Sequence, residues 1–261
     1  MRAISSYLLR RGRLGGSLAL ALAGSSGCAG GQAPPKASAP RIVRVLFIGN
    51  SLTYVNDLPR TLAGIARAGG DSIEVLTVAG PNLALIDHLD GRRAATDAIG
   101  SRRWDIVVLQ QGPTTRPIHR DTLVLATRRL NQLIRRAGAR TAVLMVWPSA
   151  NRLTAFDSVR ASCQYAASAV GGMCVPAGAA WFAALTGEDP LPVYGADGFH
   201  PSELGTYLAA LVLYEVVTGK DARALPARAS VARGPLDLDE NAARRLQRIA
   251  HETLERHPTG R

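Results

Sequence analysis

The chain alternates between two kinds of apolar patterning. IVRVLFIG (42–49) is a nearly unbroken β-branched and apolar run, which predicts a strand covered on both faces. Leu58, Leu62, Ile65 and Ala66 then recur at helical spacing. SIEVLTVAG (72–80) predicts a second strand, and residues 84–100 read as a helix behind it. WDIVVLQQG (104–112) has the strongest apolar core of the predicted strands, and Leu123, Ala126, Leu130, Leu133 and Ile134 mark one face of a helix ending near Gly138. RTAVLMVWP (140–148) predicts a fourth strand stopped by Pro148, followed by a helix over 155–169 and a short strand around GGMCVP (171–176). WFAAL (181–185) belongs to a short helix, and helices over 201–218 and 237–257 close the chain. Strands alternating with helices of this length indicate βαβ units. The predicted fold is therefore a three-layer α/β/α sandwich around a central, mainly parallel sheet. In such sheets ligands bind beyond the carboxyl ends of the strands. Ser51, Gly80, Gln110, Trp147 and the loop before His200 all fall there.

The first 40 residues depart from this pattern. Arg2, Arg10, Arg11 and Arg13 precede the apolar stretch Leu14 to Gly24, whose 11 residues are too few to span a bilayer. A basic flank followed by a short apolar run reads as an export signal over 1–28. Residues 29–40, rich in Pro and Gly, read as a flexible linker, and 41–261 as a single domain. Cys28 has two readings: the lipid-attachment cysteine of a bacterial lipoprotein, or part of an ordinary cleavage zone. Ser25 stands where the lipoprotein pattern usually has Leu. The expected location is thus exported, periplasmic or extracellular, with membrane contact only through a lipid on Cys28. Removing 1–28 takes away four arginines and no acid, which lowers the formal charge from +11 to +7. The remaining basic residues, such as Arg92-Arg93, Arg135-Arg136 and Arg244-Arg245, are scattered on helices without interleaved aromatics, so no nucleic-acid partner is expected. Cys163 and Cys174 read either as a disulfide permitted by export or as two small buried hydrophobes. No metal site is read from two cysteines and five scattered histidines.

Chemistry concentrates at the two ends of the domain. FIGNSLT (47–53) ends the first strand on a glycine and places Ser51 at a strand-to-helix junction. A serine attacks a carbonyl only if an imidazole takes its proton and a carboxylate holds that ring. His88 and His251 lie in predicted helices, His257 at the end of the last one, and His119 follows Pro117. His200, in YGADGFHPSELGTYLAA, directly precedes a helix, with Asp197 three residues earlier across a glycine. Each motif alone also reads as a turn with a helix cap.

Together these blocks resemble the SGNH hydrolases, also called the GDSL family of esterases and lipases. The resemblance covers residues 42 to 218 and implies an SGNH/flavodoxin-like sandwich. It implies Ser51 as nucleophile, His200 as base and Asp197 as acid, with Asn50 in place of the usual Asp. It also implies an oxyanion hole from the Ser51 and Gly80 N–H groups plus a side-chain amide. Family members commonly end the third strand on Gly-x-Asn-Asp, whereas this chain has VVLQQGPTT. Gln110 is favoured as the substitute donor, with Gln111, Asn82, Thr114 and Thr115 as alternatives. Asn50 either orients the turn or caps the following helix, and Trp147 and Tyr194 either line the opening or pack beneath it. The implied activity is cofactor-free hydrolysis of a small ester, with O-acetyl groups on a glycan as the favoured substrate. The alternatives are a short-chain lipase and a non-catalytic carbohydrate-binding module on the same fold.

Overall fold

The computed structural model describes residues 41–91, 93–227, 230–235 and 238–260. The expected export signal, Cys28 and the linker lie outside the described residues. Five parallel strands form the central sheet: β1 (Ile42–Gly49), β2 (Ser72–Ala79), β3 (Ile106–Leu109), β4 (Arg140–Leu144) and β5 (Met173–Val175), in the order β2-β1-β3-β4-β5. This is a flavodoxin-like order, whose switch point lies between β1 and β3. The expected three-layer sandwich is thus present.

Alternation along β1 explains why its run is apolar throughout. Val45 and Phe47 enter one core with α2 (Leu58–Ala68), α6 (Ala177–Thr186), α7 (Glu203–Thr218) and α8 (Glu240–Arg256). Leu46 and Ile48 enter the other with α3 (Arg93–Ser101) and α4 (Pro117–Arg136). Every one of these four strand residues is fully buried. The remaining helices are α1 (Ser51–Tyr54) and α5 (Phe156–Ser168), the latter packed beside α4 and α6 at the β4–β5 edge.

Some boundaries differ from the hydropathy reading. The helix expected over 84–100 is broken into a one-turn 3-10 helix, Leu85–His88, and α3, because Gly91 turns the chain through a left-handed φ of 69°. The third strand stops at Leu109, three residues early, so Gln110 to Gly112 form the loop beyond it. The last core helix begins at Glu203, where the Ser202 hydroxyl accepts from Gly205 N–H at 3.0 Å. A small antiparallel ribbon, Ser230–Val231 with Gly234–Pro235, was not anticipated.

Cys163 of α5 and Cys174 of β5 form a disulfide, with Cα atoms 5.8 Å apart. The expectation of a lipid anchor is corrected on this finding: both cysteines of the described residues are spent on each other, and neither offers a thiol to a lipid. No helix among the described residues is long and apolar enough to cross a membrane. The bridge closes a short loop, with a sequence separation of 11. Replacing both cysteines by serine is expected to lower unfolding free energy by about 3 kcal/mol through loop-closure entropy, read as a lower urea midpoint.

Candidate active site

The turn after β1 is built around an absent side chain. A Cβ on Gly49 would stand 2.5 Å from Gln110 Oε1 and 2.6 Å from Thr53 Oγ1, so only glycine leaves room for that carboxamide. Gln110 Oε1 accepts from the Asn50 N–H at 2.8 Å and from the Thr53 hydroxyl at 2.8 Å. Asn50 is extended, and its side-chain oxygen accepts from Leu52 N–H at 3.1 Å, which caps α1. Its Nδ2 donates to the Leu83 carbonyl at 2.9 Å. An aspartate could not make that last bond, because an ionised carboxylate only accepts. Ser51 therefore begins α1 at a rigid corner, and its N–H belongs to the first-turn donors that a helix leaves without an intrahelical carbonyl.

The partner loop comes from the other end of the chain. His200 Nε2 lies 2.9 Å from Ser51 Oγ, and His200 Nδ1 lies 2.5 Å from Asp197 Oδ2. The other carboxylate oxygen accepts from the N–H groups of Phe199 at 3.0 Å and His200 at 2.9 Å. The His200 hydrogen bond, with help from these two amides, holds the Asp197 carboxyl down at about 2. An ionised Asp197 fixes the ring tautomer, with hydrogen on Nδ1 and a lone pair on Nε2 facing the serine.

Trp147 and Tyr194, weighed as site-lining, support this loop from behind. Trp147 is 1% exposed, stacks on Trp181 at a centroid distance of 3.5 Å, and donates from Nε1 to the Phe199 carbonyl at 3.0 Å. Tyr194 donates its hydroxyl to the Pro148 carbonyl at 2.6 Å, and burial pushes its phenol up to about 12.

The remaining expected residues separate into two groups. Gln110 is 0% exposed, and its Nε2 has no partner among the described residues, so this amide sits beneath the site. Gln111 is half-buried, accepts from Leu85 N–H at 3.1 Å, and donates weakly to Thr114 Oγ1 at 3.4 Å. It lines a cleft of about 280 Å³ together with Asn50, Asn82, Thr114, His119 and Thr122. Gly80 N–H points at the Gly49 carbonyl across a long 3.4 Å. His88 is the residue that sequence reading passed over: 2% exposed, with Nε2 2.9 Å from the same Gly49 carbonyl. Its only signal in LALIDHL is a polar ring, next to Asp87, inside a largely apolar stretch.

Two other features lie away from this site. A hollow of about 1180 Å³ is at the amino ends of the strands, where Arg41 pairs with Asp105 and Lys220 with Asp71, each at 2.6 Å. Glu215, Asp221 and His251 bring ligand-type atoms within 4.8 Å of one another. There Glu215 already accepts from Ala222 N–H and Asp221 holds Arg223, and the contact of His251 with Glu215 ties α8 to α7.

No protein-family model matches the sequence, and no curated protein does. Solved structures do match. A candidate SGNH hydrolase from Slackia heliotrinireducens is 27% identical, with 67% of this chain and 98% of that one covered and a TM-score of 0.56. A DUF4886 family protein from Bacteroides uniformis superposes with a TM-score of 0.69 over 84% of this chain and 96% of its own, at 20% identity. An acetylxylan esterase from Geobacillus stearothermophilus shares the fold at 16% identity, with 67% and 94% covered and a TM-score of 0.51. The fold is the α/β/α sandwich of these proteins, several of which are hydrolases. The chain resembles the SGNH (GDSL-like) hydrolases, with Gln110-Gln111-Gly112 after β3 where that family commonly has a Gly-x-Asn-Asp block.

Two outcomes are expected of this geometry. Gly49→Ala forces the Gln110 carboxamide and Thr53 aside and costs about 1–3 kcal/mol, measured by urea unfolding. A carboxyl ¹³C titration of Asp197 has its midpoint near 2, below the ordinary 3.8, and moves upward in His200→Ala, where the largest stabiliser of the anion is gone. The associated stability is present above pH 3.8 and lost as pH falls through about 2, and it is small because Asp197 is half-exposed.

Proposed function

We propose that the protein is a serine esterase acting on short-chain carboxylic esters. The observation that carries this reading is the unbroken chain of contacts from Ser51 Oγ through His200 to Asp197, made by groups 149 and 3 residues apart in sequence. His200 Nε2 takes the hydroxyl proton as Ser51 attacks the ester carbonyl, and Asp197 stabilises the imidazolium. The N–H groups of Ser51 and Gly80 receive the oxyanion. Of the two glutamines weighed as a third donor, Gln111 lines the open cleft. The intermediate collapses by breaking the bond to the alcohol oxygen, which takes the proton from His200 and leaves an acyl-serine. Water, deprotonated by His200, then attacks the acyl carbon and restores Ser51.

The cleft beside Asn50 offers amides, hydroxyls and one imidazole, and none of its lining residues is Asp, Glu, Lys or Arg. Such a lining supports a neutral, hydroxyl-bearing substrate, and O-acetyl groups on a carbohydrate fit it. The shared fold of the acetylxylan esterase is compatible with that choice and does not itself select it. The Cys163–Cys174 disulfide and the basic-then-apolar residues 1–28 support action after export, in the periplasm or outside the cell. One observation favours the carbohydrate-binding module instead, namely the burial of Gln110 away from the site. The preassembled Ser51–His200–Asp197 contacts weigh more.

The test is turnover of p-nitrophenyl acetate. Ser51→Ala and His200→Ala are expected to abolish it, and Asp197→Asn to lower kcat by roughly 10³-fold or more. An acyl-length series is expected to fall off beyond short chains. Glycan binding with neither turnover nor labelling of Ser51 by a fluorophosphonate would replace the esterase with the module.

A further inference from the structure

The peptide unit joining Gly49 to Asn50, directly before the nucleophile, is held at both ends by side chains. Its nitrogen donates to Gln110 Oε1 at 2.8 Å, and its oxygen lies 2.9 Å from His88 Nε2. In a parallel ladder continuing past the register Gly49↔Ala79, that oxygen would be the acceptor for Gly80 N–H. The Gly80 bond is instead stretched to 3.4 Å, and the shorter contact belongs to the imidazole. A carbonyl only accepts, so His88 presents a hydrogen on Nε2. His88 itself is fixed by the turn that carries it: Leu85 is fully buried and donates to Gln111 Oε1, and Asp87 accepts from Ala84 N–H at 2.7 Å.

We propose that His88 is a positioning residue of the oxyanion hole: by holding the Gly49 carbonyl at 2.9 Å it leaves the Gly80 N–H only weakly bound at 3.4 Å, free to turn to the substrate oxygen, and locks the backbone that carries Ser51. This rests on the serine-esterase reading above. The physical point is competition for one acceptor. A backbone amide at the end of a strand ordinarily completes the sheet; the carbonyl has two lone pairs and accepts from both donors, but the shorter imidazole bond leaves the amide the weaker share. The imidazole acts through backbone without touching substrate.

The test compares two polar replacements of similar bulk. In His88→Gln the terminal amide nitrogen reaches the place of Nε2, whereas in His88→Asn it reaches only the place of Nδ1. His88→Gln is expected to stay within about fivefold of the parent in kcat for p-nitrophenyl acetate. His88→Asn is expected to lose about 10- to 100-fold in kcat with KM nearly unchanged, as for loss of oxyanion stabilisation. The Gly80 amide resonance gives a readout independent of turnover. In His88→Asn it should shift downfield and exchange more slowly with solvent, because it closes onto the vacated Gly49 carbonyl, and in His88→Gln it should not. Equal kcat in the two variants, or an unmoved Gly80 resonance in His88→Asn, would overturn the assignment. A parent protein without Ser51-dependent turnover would sink the esterase reading alone, and the Gly80 resonance would still decide the role of His88.

Discussion

The bare Cα at position 49 is the constraint on which the site depends. Without a side chain there, the Gln110 carboxamide can press against the end of β1 and accept from Asn50 N–H and Thr53 together. Those two bonds turn the chain from strand to helix within one residue. Asn50 completes the turn by capping α1 and by reaching across to Leu83. A buried carboxamide oxygen in a low-dielectric position holds its donors more firmly than water would, which makes the corner rigid. Position and rigidity of the serine thus follow from packing under the sheet's rim.

The switch point of the sheet explains why this corner faces a cleft. β1 sends its chain into α1 and α2 on one face, while β3 sends its chain toward α4 on the other. The strand ends diverge there, and the loop carrying Asp197 and His200 arrives over the gap. That loop is carried at its base by Trp147 and Tyr194, whose polar ends hold the carbonyls of Phe199 and Pro148. One buried and one half-buried aromatic ring make a firm mount for an imidazole that meets a serine 149 residues away.

Much of this was legible in the sequence. The alternation of apolar runs and helical stripes specified the sandwich, because burial on both faces forces that pattern. Ser51, Asp197 and His200 stood out as candidates because they sit at strand and helix ends, with Asp197 only three residues before His200, whereas the contact of Ser51 with His200 spans 149 residues and comes from the fold. The direction of Gln110 was not, since alternation fixes facing only while the strand lasts and β3 stops at Leu109. His88 was hidden for a related reason. Hydropathy read residues 84–100 as one helix, and Gly91 breaks that helix and leaves a single turn to aim the imidazole inward. Trp147 had two readings because an indole serves a core or a pocket wall equally well. Its ring turned out to serve the core, while its N–H serves the loop.

The stacked pair Trp147 and Trp181 has an optical consequence. Two indoles 3.5 Å apart and within 5° of parallel couple their excited states, so this domain should carry an ultraviolet circular-dichroism signature that separated tryptophans lack. Because Trp147 also anchors the backbone beside the imidazole, that signal doubles as an intrinsic gauge of whether the mount under the base is intact, readable without any substrate.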